Sequence, residues 1–89
     1  MPRFCVLLAV VPRRAARDPE GETLASALRR RGYGFVESVR AGKVFLLEVE
    51  AGGVGEAREL VERLAREARL YNPVVHEAVV VPLGEGGGC

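Results

Sequence analysis

The sequence predicts an α+β fold, with an antiparallel β-sheet covered on one face by two helices. Apolar runs near the start and near the end of the chain have the length and the β-branched content of strands. Two amphipathic patterns between them have the period of helices, and an alternating segment around Ala41-Gly42 is typical of a β-hairpin. The predicted order is therefore β-α-β-β-α-β, as in ferredoxin-like domains.

The first strand is predicted over Arg3 to Val11, where Pro12 ends the apolar run. Apolar residues occupy both of its faces, which is typical of a central strand covered on both sides. The two faces consist of Phe4, Val6, Leu8 and Val10 on one side, and of Cys5, Leu7, Ala9 and Val11 on the other.

The first helix is predicted to start at Asp18 and Pro19. The Asp18 carboxylate can accept hydrogen bonds from the first N–H groups of the helix, and proline is well tolerated at the first helical position. Glutamates in the first turn and arginines in the last turn match the helix dipole. The helix is expected to end at Gly32 or Gly34.

A hairpin is predicted over Phe35 to Glu50, with Ala41-Gly42 as its turn. In the second arm one face is apolar throughout, and the other is apolar only near the turn, at Val44 and Leu46. Helices can cover one face of the sheet, so the other face needs a different cover. We expect that cover to be a second copy of the chain, in a homodimer or a higher homo-oligomer.

The second helix has the clearest pattern, with small and aliphatic residues on one face from Ala57 to Tyr71. Glutamates precede arginines by four positions on the opposite side, which predicts the ion pairs Glu59–Arg63 and Glu62–Arg66. The helix is expected to stop at Asn72-Pro73. A last strand follows from Val74 to Val81, closed by Pro82.

Length and composition limit the functional classes. The 89 residues predict a single domain over 1–83, followed by a flexible Gly-rich tail at 84–89. A formal net charge of +1 provides no overall field to attract nucleic acid or an anionic membrane. No apolar run approaches the ~20 residues of a membrane span. We therefore expect a cytoplasmic protein that binds neither nucleic acid nor a membrane.

Residue usage is biased toward arginine, with twelve arginines, a single lysine and no glutamine. Few thermolabile amides and many Arg and Glu residues are typical of heat-adapted proteins. A GC-rich genome produces the same bias, so the composition leaves both explanations open.

No group of residues predicts catalysis. His76 is the only histidine and has no further ligand at metal-binding spacing, so we expect it to be structural and predict no metal site. Cys5 is expected to be a small core residue and Cys89 a mobile thiol, and the pair predicts no disulfide framework. No cofactor site is expected in the chain.

Two basic clusters remain. Arg13 and Arg14 precede the first helix, and Arg40 and Lys43 flank the predicted turn. Such residues are often simply solvated, but loops also carry most binding functions. We regard these four residues as candidates for contact with an anion or a partner protein.

Three short motifs stand at the ends of the predicted elements. They are Asp18-Pro19-Glu20-Gly21 at the start of the first helix, Val39-Arg40-Ala41-Gly42-Lys43 across the predicted turn, and Asn72-Pro73-Val74-Val75 after the second helix. Together they resemble the PurS family, the small subunits of phosphoribosylformylglycinamidine (FGAM) synthase. The resemblance covers Arg3 to Pro82 in the family's order, with departures at Glu20 and at Leu70-Tyr71.

The resemblance implies a non-catalytic subunit of a glutamine-dependent ligase in de novo purine biosynthesis. In that family a large synthetase subunit uses ATP and Mg²⁺, and a separate glutaminase subunit releases ammonia. The small subunit bridges the two as a dimer and supports ammonia transfer. The family motifs assign structural roles to Asp18, Pro19, Gly21, Gly42, Asn72 and Pro73.

Other functional classes stay open on the residues alone. A small ferredoxin-like regulatory module would hold a metabolite at a dimer seam. An acyl-phosphate hydrolase would use Arg13 or Arg14 for phosphate, with Asn72 orienting water. A nucleic-acid binder would stack bases on its aromatic residues, although the near-neutral charge disfavours this class.

Overall fold

The computed structural model describes residues 2–86 and residue 89. Within these residues the chain forms three strands and two helices, arranged as a sheet with one helix packed on it. The elements are β1 (Arg3–Pro12), α1 (Pro19–Arg30), β2 (Lys43–Glu50), α2 (Val54–Glu67) and β3 (His76–Glu85). The predicted class, an antiparallel sheet with two helices, is confirmed.

The sheet has the strand order β2-β1-β3, and both strand pairs are antiparallel. β1 is therefore the central strand, as its apolar faces predict. Leu7 lies between Leu46 of β2 and Val81 of β3, and Ala9 lies between Val44 and Val79 in the next row. The first strand thus provides a line of apolar contacts on each face of the sheet.

One face of the sheet is covered by α2. The core combines alternate residues of β1 with Ala57, Val61 and Ala65 of the helix, all of them buried. The predicted helical face is therefore confirmed. The ion pairs on the outer side differ from those predicted: Arg58 pairs with Glu62 at 3.0 Å and Arg63 with Glu67 at 3.9 Å. Among the described residues, neither helix is long and apolar enough to cross a membrane.

The first helix does not share this core. No described residue of α1 makes a close contact with a strand, and its buried positions, Gly21 and Ala25, are absent from the central cluster. It packs instead on the segment that follows it, where Arg29 Nη1 donates to the carbonyl oxygens of Val36 at 3.0 Å and Glu37 at 3.1 Å. The molecule is accordingly elongated, with extents of 50 × 28 × 16 Å.

The predicted first arm of the hairpin is wrong. Residues 35–40 form no strand, and Phe35 is 82% exposed. A two-residue hairpin loop of the favoured type needs a positive φ at its glycine, but Gly42 is not among the described residues with positive φ. The chain instead runs past the end of β1 and enters β2 directly. The Ala41 N–H is bonded to Asp18 at 2.9 Å, which replaces a cross-strand partner.

Gly42 is required for close approach rather than for turn freedom. A Cβ at this position would collide with the carbonyl oxygen of Val10 and approach the Val11 Cα at 3.0 Å. Gly42→Ala should therefore destabilise the fold by about 1–3 kcal/mol, because backbone atoms cannot move aside cheaply. Chemical denaturation measures this.

Gly55→Ala is the matched control for that measurement, since a methyl group there meets no atom within 4 Å. The control should be neutral or stabilising, because alanine is the better helix former. Equal stability for Gly42→Ala and wild type would show that the contact with Val10 is relaxed in solution.

The last strand lies two residues later than predicted at its start and runs through Glu85, into the segment expected to be a tail. Pro82 is inside the strand, which is possible because β3 is an edge strand and its register shifts at this point, between Cys5 and Val6 of β1. Gly87 and Gly88 of the predicted tail lie outside the described residues.

The cysteine prediction is also wrong. Cys5 and Cys89 form a disulfide, with their Cα atoms 5.2 Å apart. Cys5 belongs to the face opposite α2 and is only half buried, so it is not a core residue. The bond attaches the end of the chain to the central strand.

The face of the sheet opposite α2, here called the open face, is apolar over two rows of residues. Several of its side chains are about half exposed: Val44 is 61% exposed, Leu46 55% and Val79 47%. The members of this apolar patch are Leu7, Ala9, Val44, Leu46, Val79 and Val81. In the described part of the chain, the two edge strands therefore leave their apolar side chains on this face accessible.

Candidate functional site

The three segments that carry the sequence motifs meet at one end of the sheet. β1 ends there at Pro12, and its partners in the ladder are Lys43, the first residue of β2, and His76, the first of β3. We call this region the loop end. It consists of segments 13–18, 38–43 and 72–75, which are far apart in the sequence.

Asp18 joins two of these segments. Its Oδ1 accepts the N–H of Gly21 at 3.0 Å, the predicted helix cap, and its Oδ2 accepts the N–H of Ala41 at 2.9 Å. Pro19 begins the helix as predicted. One carboxylate thus caps α1 and fixes the segment before β2, a second role that the sequence does not reveal.

Gly21 makes this junction possible. A Cβ at this position would collide with the carbonyl oxygen of Val39 and with the Asp18 carboxylate. The first helical turn can therefore approach segment 38–43 only with glycine there. The first motif contacts the second through Asp18 and Gly21. The second motif contacts β1 through Gly42.

The pKa of Asp18 is lowered from its ordinary value of 3.8. The N–H of Gly21 is the main cause, followed by the N–H of Ala41, and the positive charge of Arg40 adds to them, while partial burial opposes the shift. Both hydrogen bonds stabilise the ionised carboxylate. The junction is therefore strongest when Asp18 is charged.

This shift predicts a pH dependence of stability. A carboxylate with a lowered folded-state pKa stabilises the fold above its unfolded pKa, and this contribution is lost as pH falls through the folded-state value. Below pH 3.8, wild type should therefore lose more stability than Asp18→Asn. Urea denaturation over an acidic pH series measures the difference, with Glu59→Gln on the exposed face of α2 as control. Parallel curves for wild type and Asp18→Asn would contradict it.

The third motif is held by its own turn and by Arg13. Asn72 Oδ1 accepts the N–H of Val74 at 3.0 Å, and the Asn72 carbonyl oxygen accepts the N–H groups of Val75 and His76. Arg13 donates from Nε to the Pro73 carbonyl oxygen at 2.9 Å and from its backbone N–H to that of Val75. Asn72 thus shapes a turn, as expected for its position before proline.

His76 belongs to the same turn. Its Nδ1 accepts the N–H of Asn72 at 3.2 Å, and its side chain is half buried. Within the described part of the chain, no group of His, Cys, Asp and Glu could hold a metal ion. The hydrogen bond with Asn72 makes His76 part of this turn.

A cleft of about 270 Å³ opens at the loop end. Three of the four predicted contact residues line it, namely Arg13, Arg14 and Arg40, while Lys43 lies outside the lining. The remaining lining residues are Ala16, Asp18, Glu22, Ser38 and Val39. The cleft therefore combines three guanidinium groups with two carboxylates.

The four cations differ in how they are used. Arg13 is bonded to the third motif, and Arg40 pairs with Glu77 at 3.0 Å and donates to the Pro12 carbonyl oxygen at 3.3 Å. In the described residues, Arg14 and Lys43 have no such partner, and both are exposed. Arg13 and Arg40 hold the loops together, and Arg14 and Lys43 are free to contact another molecule.

Sequence reasoning missed Glu77 and Ser38 in this region. Glu77 lies in β3 opposite Val11, and it places a negative charge beside Arg40. The hairpin prediction concealed this contact, because it directs Arg40 toward a turn rather than toward the other edge strand. As a whole, the loop end presents exposed cations beside segments that hydrogen bonds and an ion pair connect to one another.

A search of protein families matches residues 5–82 to PurS, described as phosphoribosylformylglycinamidine (FGAM) synthase. The chain is similar to the phosphoribosylformylglycinamidine synthase subunit PurS of Thermotoga maritima. The two are 42% identical over 77 residues, which cover 86% of this chain and 93% of the relative.

Solved structures agree with this similarity. The crystal structure of the T. maritima purS subunit superposes with a TM-score of 0.78 at 40% identity, covering 92% of this chain and 93% of that one. A chain from the structure of PurLQS from T. maritima gives a TM-score of 0.77 at 41% identity, covering 93% of this chain and 100% of that one. The family match spans the loop end and the apolar patch of the open face, which both lie within residues 5–82.

Proposed function

Because the chain belongs to the PurS family of FGAM synthase, we propose that it is the small, non-catalytic subunit of that ligase in de novo purine biosynthesis. In this role it bridges the ATP-dependent synthetase subunit and the glutaminase subunit and supports the transfer of ammonia between them. ATP and Mg²⁺ belong to the synthetase subunit, and this chain contributes surfaces. We place it in the cytoplasm, where the substrates of such a ligase are made.

The observation that carries the proposal is the convergence of the three family motifs on the loop end. Asp18 joins two of these segments through its hydrogen bonds, and Gly21 and Gly42 allow the backbone to approach closely there. Rigid loops that present exposed cations are suited to positioning a partner. Released ammonia must reach an activated intermediate before it escapes, so the position of the docked subunits matters more than side-chain chemistry here.

Reconstitution tests the proposal. The chain should co-purify with the synthetase and glutaminase subunits, and adding it should restore glutamine-dependent formation of the amidine product to a mixture of those two subunits. The chain alone should neither hydrolyse glutamine nor turn over ATP. A mixture that is fully active without the chain, with glutamine as the ammonia source, would overturn it.

Self-association is the second element of the proposal. We propose that two copies pair through their open faces, because the patch around Leu7, Leu46 and Val81 is apolar and accessible on a chain of near-neutral charge. The isolated protein should therefore be at least a dimer at low micromolar concentration. Light scattering measures its mass, and a monomeric mass under reducing conditions would contradict the prediction.

The cleft supports a second candidate function, that of a regulatory module that binds an anionic metabolite. Arg13, Arg14 and Arg40 line it together, and guanidinium groups suit phosphate and carboxylate ligands. Thermal melting with purine intermediates distinguishes the two. A saturating rise in melting temperature without any partner protein would favour the regulatory module.

A further inference from the structure

We propose that the Cys5–Cys89 disulfide is a redox switch that controls pairing of the open face. When the bond is closed, the end of the chain is held on the open face and weakens association with a second copy. When the two thiols are free, the face is available. This inference rests on the self-association proposed above and adds its regulation.

Cys5 lies on the open face, next to the apolar patch. It lies in β1 with Glu48 of β2 as one neighbour and Gly84 of β3 as the other, and its side chain belongs to the open face. Leu7, the centre of the first apolar row, is two residues further along the same strand. Two residues of a strand span about 7 Å, so the disulfide borders the apolar patch directly.

After β3 the chain stays close to β1. β3 ends at Glu85, and the N–H of Gly86 donates to the Arg3 carbonyl oxygen at 2.8 Å, so the chain is still beside β1 at that point. Cys89 is bonded to Cys5 and is itself exposed. The bond thus leaves Cys89 standing outward from the sheet, above the end of the open face.

Sheet packing explains why this placement opposes pairing. Two sheets that pack face to face are about 10 Å apart, a space filled by the side chains of the two faces. Cys89, bonded to Cys5 on one face, needs part of that space. The oxidised chain can pair through this face only if the sheets separate or shift at the Cys5 end.

The chemistry is ordinary thiol–disulfide exchange. One thiolate attacks a low-molecular-weight disulfide, and the second displaces the remaining thiol, so that two cysteine thiols and one disulfide give the Cys5–Cys89 bond and two small thiols. The small disulfide is reduced as the cysteines are oxidised. A dithiol reductant reverses the reaction. In the cytoplasm of mesophiles, protein disulfides are usually transient and serve catalysis or redox sensing.

The coupling is reciprocal. If closing the bond weakens pairing by some factor, pairing must make closing the bond less favourable by the same factor. The oxidised fraction at a fixed ratio of glutathione disulfide to glutathione should therefore fall as protein concentration rises. A merely structural disulfide in a protein that pairs elsewhere would not respond to concentration.

The test compares self-association of the full chain after equilibration with glutathione disulfide and after reduction with dithiothreitol. Sedimentation velocity should give a dimer dissociation constant at least about tenfold higher for the oxidised protein. Cys89→Ser cannot form the bond and keeps Cys5 in place, so it should match reduced wild type under both conditions. Circular dichroism confirms that each sample is folded.

Leu46→Glu identifies the face that is used for pairing, because it places a charge within the apolar patch, on an edge strand. The reduced variant should be monomeric, and a reduced variant that still forms the dimer would overturn the inference. Equal association of oxidised and reduced wild type would overturn the switch and leave the proposed self-association intact. A monomer in both redox states would overturn the switch and the proposed self-association together. A dimer linked by an intermolecular disulfide, detected on a non-reducing gel, would also overturn the switch.

Discussion

Reduction of the Cys5–Cys89 disulfide should lower the free energy of unfolding of the isolated chain by about 4–5 kcal/mol. The two cysteines are separated by 84 positions, so the bond closes almost the entire chain into one loop. In the chain-entropy model, a loop of this length removes much of the conformational freedom of the unfolded state. Urea denaturation of the oxidised and the reduced protein at equal concentration measures the difference.

Cys89→Ser is the control for this prediction. It should reproduce the stability of the reduced protein and show no response to dithiothreitol. A difference of less than about 1 kcal/mol between oxidised and reduced wild type would mean that the unfolded chain is already compact, or that the bond distorts the fold. Measurements at several concentrations separate the effect of the bond from that of pairing.

Replacement of Lys43 by alanine should weaken binding of the chain to the synthetase and glutaminase subunits by about 2–5 kcal/mol, the usual cost of removing one member of a desolvated charge pair. Lys43 is the only lysine, it is exposed, and no ion pair of the described residues includes it. Its loss should therefore change the stability of the free chain by less than about 0.5 kcal/mol. Titration of a labelled chain into the partner subunits measures the binding.

Arg14→Ala should act in the same direction, because Arg14 is another exposed cation at the loop end without a partner in the described residues, and it lines the cleft. For Arg40→Ala the stability of the free chain must be measured as well, because Arg40 also pairs with Glu77 and donates to the Pro12 carbonyl oxygen. Arg63→Ala on α2 is the matched control and should bind as wild type does. If Lys43→Ala and Arg14→Ala also bind as wild type does, the loop end is not the docking surface.

The parts of the fold that the sequence predicts well are those set by local periodicity. α2 follows from its repeating apolar face, and β1 follows from a run that is apolar on both sides. The start of α1 follows from Asp18 and Pro19, because capping is a local interaction. Each of these features depends on residues close together in the chain.

The parts that the sequence does not predict depend on distant partners. Ala41-Gly42 has the composition of a turn, but Asp18, in a different segment, takes the N–H of Ala41 and holds the chain extended. The disulfide depends on where the end of the chain lies in three dimensions, which spacing alone does not determine. Of the site, the four cations are identifiable from sequence, but the division between internal and free ones depends on Glu77 and Pro73.

The central position of β1 also has a consequence for synthesis of the protein. β1 is translated before its partners, and one of its two neighbours in the sheet is β3, which follows only after α1, β2 and α2. The nascent chain therefore carries an apolar strand with an unsatisfied backbone edge until β3 has been translated. Such late, non-local pairing slows folding and exposes the strand to aggregation. Holdase chaperones that bind extended apolar segments should accordingly protect the nascent chain more than the finished protein.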